Sequence, residues 1–325
     1  MATNNFPKSL IEATRYFADP DVALAAAVAL RWKGGPVTCP TCGSTEVHFI
    51  ETRRLWRCKN NHPQRQFSVK VGTIMEDSPI ALDKWMVAIW LLANCRNGIS
   101  SYELARDLGV TQKTGWFLLH RIRLAMQAGH IDRIFGDVEA DETYIGGRAR
   151  NMHRAKRERL NITKGRSVAG KTVVMGLLER HGKDGHSTIR TEILGSLRTK
   201  HVQSHVRNHV EAGATVNTDA FFSYRGLDRD YVHNVVDHAE AYVDGNVHTN
   251  GMENFWSLLK RAIKGTYVSI EPFHLFGYLD EQCFRFNNRK LSDADRFAHA
   301  AAAIVGKRLT YKTLTGNDLP QSHQN

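Results

Sequence analysis

Three features are scarce in this sequence, and each scarcity argues against a class of protein. Only five of the 325 residues are cysteine, an odd number found mostly in the N-terminal third, which argues against a secreted disulfide scaffold. The N-terminal segment MATNNFPKSL has no apolar core, so a secretory signal is not expected. The longest strongly apolar run, Met86–Ala93, is far too short to span a bilayer. We therefore expect a cytoplasmic protein with no membrane partner.

Acidic residues are also in deficit. The chain has 33 Asp and Glu against 44 Lys and Arg, a formal net charge of +11. This excess favours a polyanionic partner, with nucleic acid ahead of membrane lipid, over a merely basic soluble protein. Residues 148–166 alone contain eight Lys or Arg and one Glu, so we expect phosphate contacts there rather than a solvated charged face. The candidate DNA contacts in this segment are Arg148, Arg150, Arg154, Lys156, Arg157 and Arg159.

Changes of pattern along the chain predict five segments, and no internal repeat is evident. They are a helical segment (1–36), a zinc ribbon (37–76), a helix-turn-helix region (77–132), an α/β domain with a basic insertion at 148–166 (133–295), and a C-terminal helix with a frayed tail (296–325).

The second segment has the cysteine spacing of a zinc ribbon. Cys39 and Cys42 form a C-x-x-C knuckle, and Cys58 begins a second one between short alternating segments. Asn61 stands where a fourth cysteine would complete the second knuckle, and His62 follows it. We predict that Cys39, Cys42, Cys58 and His62 bind Zn²⁺. The alternative is a degenerate, metal-free site with three buried thiols.

The third segment has helix-turn-helix spacing. Ser100 and Glu103 form a capping box, Gly109 makes the turn, and Thr111 can cap the next helix. In that helix Trp116, Leu119, Ile122 and Met126 are expected to pack inward. The side chains expected to face outward and meet DNA are Gln112, Lys113, His120 and Arg121. A purely structural helix pair is the alternative.

The fourth segment predicts a mixed α/β sheet with three acidic positions. Strand-like stretches are GDVEADETYIGG, KTVVMGLLER, HSTIRTEIL and ATVNTDAFFSY, with one helix before the last and another helix later. Asp141 lies on the first strand, Asp219 on the fourth and Glu253 on the late helix. If the first and fourth strands are neighbours, the three carboxylates converge and can bind two Mg²⁺ ions. Separately, each acid has a structural explanation: a solvated sheet edge shared with Glu139, a turn, or a helix cap.

The late helix begins within HTNGMENFWSLLKR. Asn250 is a good N-cap, and Glu253 three residues later completes a variant of the capping box. Glu253, Trp256 and Lys260 fall on one helical face, which could be a packing face or the wall of an active site.

These stretches together resemble one family. The stretches are CPTCGS, FSVKVGTIMEDSPIALDKW, VEADETYIGGR, VNTDAFFSY and HTNGMENFWSLLKR. From about Val37 to Arg289, the chain is similar to DDE-type insertion-sequence transposases with an N-terminal zinc ribbon, a group related to the Merlin transposases. The resemblance implies an RNase H-like core in which Mg²⁺, or Mn²⁺, supports cleavage at transposon ends and attack of the freed 3′-hydroxyl on target DNA.

The resemblance also implies roles for individual residues. Asp141 and Asp219 match the family's two aspartates. The third ligand would be either Glu253 or Asn250. Glu253 is favoured, and it lies 34 positions after Asp219. Lys260 and Arg261 would contact DNA beside the site. The partners would be inverted-repeat end DNA and target DNA near the nucleoid, with a homodimer or higher oligomer joining two ends. Alternatives are a DNA-binding regulator with a decayed nuclease core and an RNase H-like nuclease without strand transfer.

Overall fold

The computed structural model describes residues 6–127, 133–147, 152–159, 170–182, 185–236 and 247–316, without the side chains of residues 156 and 159. These residues fold into two compact units, divided after Gln127 and again after Arg289. The first unit combines the described residues up to Gln127 with those from Lys290 onwards, and the second lies between them. Residues after Arg289 therefore pack with the N-terminal part of the chain.

A group of apolar helices forms the core of the first unit. They are α1 (Leu10–Phe17), α2 (Pro20–Arg31), α3 (Leu82–Asn94) and α10 (Asp293–Ala302). Asp19 caps α2 by accepting the backbone N–H of Asp21 at 2.8 Å. The rings of Phe17 and Phe297 lie 5.4 Å apart, and Trp85 is fully buried. Aromatic packing of this kind fastens the C-terminal helix to the N-terminal ones.

The ribbon and the helix pair also belong to the first unit. The ribbon is an antiparallel sheet of β1 (Val47–Ile50), β2 (Leu55–Cys58) and β3 (Gln66–Phe67). The helix pair is α4 (Ser101–Leu108) and α5 (Gln112–Met126). A short helix, α11 (Tyr311–Leu314), lies near the C-terminus. Ser100 accepts the N–H of Glu103, and Thr111 accepts that of Thr114. Gly109 ends α4 with φ +60°, so the predicted caps and turn are confirmed.

The second unit is built on a five-stranded mixed sheet. Its strands are β4 (Asp137–Ile145), β5 (Thr172–Glu179), β6 (Thr188–Leu194), β7 (Thr215–Asp219) and β8 (Val232–Val236), in the order β6-β5-β4-β7-β8. The β4–β5 and β5–β6 pairs are antiparallel, whereas the β4–β7 and β7–β8 pairs are parallel. The predicted first and fourth strands are therefore neighbours, and the RNase H-like mixed sheet is confirmed. Strand β8 is not among the four strand-like stretches predicted from the sequence.

The helices of the second unit are α6 (Arg154–Arg159), α7 (Thr199–His209), α8 (Asn250–Ala262) and α9 (Leu275–Asn287). Helices α7 and α8 cover opposite faces of the sheet. Alternation along β5 sends Met175 to a core shared with Val202 of α7, and Val174 to a core shared with Met252 of α8. No helix in the described part of the chain is long and apolar enough to cross a membrane.

Candidate active site

The two aspartates lie at the same level of adjacent strands. In the parallel β4–β7 pair, the last paired residues are Glu139 and Asn217, and Asp141 and Asp219 each lie two residues further along their strands. Residues paired across a sheet project from the same face, so both carboxylates lie on the face covered by α8. Asp219 also accepts the N–H of Phe221 at 3.0 Å, which fixes the turn that follows β7. The turn and the active site therefore use the same side chain.

Helix α8 approaches this face closely because β5 has a glycine there. Gly176 is paired with Asp141, and a Cβ on it would lie 2.2 Å from Cε of Met252 and 2.9 Å from Cζ2 of Trp256. Without that Cβ the indole reaches the acid, and its Nε1–H donates to Oδ2 of Asp141 at 2.9 Å. The helix is thus held against the sheet by packing and by a bond to a proposed catalytic acid.

Glu253 and Lys260 project from α8 on the same side as Trp256. The pKa of Asp141 is raised to about 6, mainly by burial; the negative charges of Asp219 and Glu253 add to this rise, and hydrogen bonds to Asp141 oppose it. Burial lowers the pKa of Lys260, and the nearby carboxylate of Asp141 partly offsets this. A set of mutually repelling oxygen donors suits a hard divalent cation such as Mg²⁺ or Mn²⁺, so the residues present fit the implied metal.

The start of α8 differs from the sequence prediction. Asn250 is the first residue of the helix rather than its cap, and Thr249 occupies the N-cap without a side-chain capping bond among the described residues. The predicted capping role of Asn250 is therefore wrong. Both Asn250 and Glu253 are exposed on the first turn, where either side chain can reach a ligand.

A buried carboxylate from the sheet takes over the capping role. Oε2 of Glu139 accepts the backbone N–H of Met252 at 2.9 Å, and Gly251 leaves room for it because a Cβ there would lie 2.9 Å from the same oxygen. Nε of Arg180 donates to Oε1 of Glu139 at 2.7 Å, and Arg180 also donates to the backbone oxygen of His248. Glu139 is 1% exposed, so the proposed solvated sheet edge is wrong for this residue.

Glu142 follows Asp141 but faces the other side of the sheet. It accepts a hydrogen bond from the buried hydroxyl of Tyr224 at 2.6 Å. The pKa of Glu142 is raised to about 7, mainly by burial; the bond from Tyr224 opposes this rise, and the charges of Asp219 and Asp141 contribute to it. Strand β4 therefore carries consecutive carboxylates with different environments.

A basic cavity of about 640 Å³ lies beside the acids in the second unit. Its wall includes Lys171, Lys260 and Lys264, together with the backbone of Gly146 and Gly147. The charges of Lys264 and Lys171 contribute to the lowered pKa of Lys260, although burial is the main cause. Three clustered ammonium groups suit an anionic ligand such as a phosphodiester. Arg261 is exposed on the same helix, in a neighbouring surface groove with Glu253.

The predicted zinc ligands come together in the first unit. Sγ of Cys42 lies 3.6 Å from Sγ of Cys58, and Sγ of Cys39 lies 3.5 Å from Nε2 of His62. Tetrahedral ligands at about 2.3 Å from zinc would be roughly 3.8 Å apart, so the cluster needs little adjustment. Nδ1 of His62 lies 2.7 Å from the backbone oxygen of Pro63, which leaves Nε2 for the metal. Asn61 is not among these residues, and the donor set fits Zn²⁺.

The predicted DNA-facing side of α5 is partly wrong. His120 and Arg121 are 5% and 6% exposed, and Arg121 donates to the backbone oxygens of Ile74, Glu76 and Leu309. The C-terminal half of α5 is enclosed on several sides, so a single buried face was the wrong assumption. By contrast, Gln112 and Lys113 lie near the accessible start of the helix. Gln112 donates to Ser101 at 2.8 Å, and Lys113 lies over the ring of Tyr311.

Most of the basic insertion lies outside the described residues. Arg148 and Arg150 are outside them, and nothing is described of the side chains of Lys156 and Arg159. Arg154 and Arg157 are exposed on α6, and Arg154 pairs with Glu158 at 2.7 Å. The DNA contacts of this segment remain predictions.

Other site residues were missed by sequence reasoning. They are Gly176, Arg180, Glu142, Tyr224, Lys171 and Lys264. Two of them had a signal in the sequence, since Glu142 adjoins Asp141 and Lys264 follows Lys260 by four residues. The others act from distant segments, and their roles depend on strand pairing.

Comparison with known proteins agrees with this geometry. Residues 133–287 match the ISXO2-like transposase domain, and residues 19–61 match the transposase zinc-ribbon domain, which ends one residue before His62. An uncharacterized protein in transposable element ISH50 of Halobacterium salinarum is 29% identical over 242 residues, covering 71% of this chain and 79% of that protein. The chain therefore carries a transposase zinc-ribbon domain followed by an ISXO2-like transposase domain.

Proposed function

We propose that this transposase cleaves DNA at transposon ends and transfers the freed strand into target DNA, using Asp141, Asp219 and Glu253 to hold Mg²⁺ or Mn²⁺. The observation that carries the proposal is that Asp141 and Asp219 lie on the neighbouring strands β4 and β7, and that the charges of Asp219 and of Glu253 from α8 both act on Asp141. Bound there, the cations would activate a water or hydroxyl group and stabilise the leaving oxygen of the phosphodiester. Asn250 is the alternative third ligand.

The chain's own residues would orient the acids and the DNA. The indole of Trp256 holds Oδ2 of Asp141, and the backbone N–H of Glu142 holds Oδ1 at 2.8 Å, so the carboxylate is fixed in its orientation. Lys260, with Lys171 and Lys264, would bind the phosphate next to the scissile bond. Further DNA contacts are proposed for residues distributed over the helix pair, the insertion and α8: Gln112, Lys113, Arg148, Arg150, Arg154, Lys156, Arg157, Arg159 and Arg261. Because two ends must be joined, we expect a homodimer or higher oligomer on DNA.

The test is a strand-transfer assay with end-containing DNA and Mg²⁺. Asp141→Asn and Asp219→Asn keep the side-chain shape but remove a charge, so each is expected to abolish cleavage and transfer. Asp137→Asn is the matched control because Asp137 is exposed at the start of the same strand. Full activity in either aspartate variant would overturn the proposed catalytic site.

The third ligand is assigned by a second set of variants. Glu253→Gln should abolish activity, whereas Asn250→Ala should retain it; Asn254→Ala, exposed on the same helix, is the control. The reverse result would transfer the role to Asn250. Cleavage by the wild type without joined products would instead identify a nuclease, and DNA binding without cleavage would identify a regulator.

A further inference from the structure

A second group of potential metal ligands lies on the sheet face opposite the aspartates. Glu192 is on the edge strand β6 and pairs with Met175 of the neighbouring strand β5. The side chain of Met175 lies in the core shared with α7. His205 and His209 are one turn apart on α7. One ligand atom from each of the three residues lies within 4.8 Å of the others. The group is therefore separate from Asp141, which faces α8.

The three side chains are already arranged around one another. Nδ1 of His205 lies 2.6 Å from Oε2 of Glu192, and the two imidazole rings are 4.4 Å apart. His209 donates from Nδ1 to the backbone oxygen of His205 at 2.9 Å. That bond selects the tautomer with a lone pair on Nε2, as in metal-bound histidines whose other nitrogen is held by a carbonyl.

Burial of His205 is a second, independent observation. Its side chain is 4% exposed, and its Nδ1 is the nitrogen that lies against the Glu192 carboxylate. A neutral imidazole in a buried site, beside a second imidazole and a carboxylate, has the donors that a metal ion requires.

We propose that Glu192, His205 and His209 bind a divalent first-row metal ion, with zinc the favoured member of the class. Two imidazole nitrogens and one carboxylate oxygen suit zinc, and Glu192 is 53% exposed, so a water can complete a tetrahedral site. Ligands at about 2.0–2.1 Å from zinc are roughly 3.3 Å apart, so the Glu192–His205 contact would open by less than about 1 Å. The ion would clamp α7 to the edge strand β6.

Metal content of the full-length protein tests this proposal. The metal-free protein is loaded with Zn²⁺, desalted and analysed by elemental mass spectrometry. The wild type should retain two zinc ions per chain, one of them in the ribbon, and His209→Gln should retain one. His201→Gln should retain two, because His201 is exposed on α7 and bonds Ser196 instead. If His209→Gln does not fold, Glu192→Gln serves in its place, since that side chain is half exposed.

Two results would overturn the proposal. One is a wild type that retains a single zinc ion and whose melting temperature does not change when more Zn²⁺ is added after that ion is bound. The other is two zinc ions in both the wild type and His209→Gln, which would place the second ion elsewhere. A wild type whose second ion raises the melting temperature, with this increase absent in His209→Gln, is the supporting result.

Discussion

Replacing Glu139 is expected to loosen the helix that carries Glu253 while leaving both aspartates unchanged. The carboxylate of Glu139 has two partners in a buried site, the N–H of Met252 at 2.9 Å and Nε of Arg180 at 2.7 Å. Glu139→Ala removes both interactions, whereas Glu139→Gln retains a carbonyl oxygen that can accept from Met252.

The expected cost follows from burial. The side chains of Glu139 and Arg180 are 2% and 10% exposed, so solvent screens this pair weakly. Removing one partner of a buried ion pair costs about 3–5 kcal/mol, and we expect the lower end because Arg180 keeps its bond to His248. Glu139→Gln loses a charge-assisted bond and should cost about 1.5–3 kcal/mol.

Hydrogen exchange at the first turn of α8 measures the loss of stability at the start of this helix. A local measurement is needed because a chain of two units need not unfold in one step. About 3 kcal/mol corresponds to roughly a hundredfold faster exchange of the Met252 amide in Glu139→Ala. Asp137→Asn, exposed on the same strand, should leave the exchange rate unchanged. An increase of less than about threefold in Glu139→Ala would refute the capping role assigned to Glu139.

Three further results are expected. Gly176→Ala should lower the free energy of unfolding by about 1–3 kcal/mol in a denaturant titration, because its Cβ would clash with α8, whereas Gly147→Ala has open space and should be neutral. In metal-free protein, the melting temperature should fall as pH rises from about 4 to 7, because Asp141 and Glu142, with pKa values near 6 and 7 against ordinary values of 3.8 and 4.5, bind protons more tightly when folded. Glu142→Gln should reduce that slope, and an unchanged slope would contradict the assignment. Chelation of zinc should unfold the ribbon, seen as rapid exchange of its strand amides, and Cys58→Ser should behave the same without chelator.

The features predictable from the sequence were those set by spacing or alternation. The zinc ligands are close in sequence, and the helix caps at Ser100 and Thr111 depend on residues three positions apart. Asp141 and Asp219 could be placed together because the strand pattern restricted the possible sheets. The error at His120 and Arg121 has a different origin, since helical periodicity assumes one buried face and α5 is enclosed on several sides.

The residues that could not be predicted act across long sequence separations. Tyr224 bonds Glu142 across 82 positions, and Arg180 bonds Glu139 across 41. Strand β8 was missed because its residues are mostly half-buried or exposed, so VHNVV lacks a clear alternation. A buried carboxylate in VEADE looks the same in the sequence as an exposed one, and only strand pairing separates the two.

The carboxylates of β4 divide their tasks by the face from which they project. Glu139 and Asp141 face α8, where Glu139 holds the start of the helix and Asp141 bonds Trp256 further along it. Glu142 faces the opposite side and bonds Tyr224. Because Glu139 contacts the first turn of α8, its loss should displace Glu253 while Asp141 and Asp219 stay fixed by the paired strands. The position of the proposed ligand Glu253 therefore depends on helix capping, whereas the positions of the two aspartates depend on the sheet.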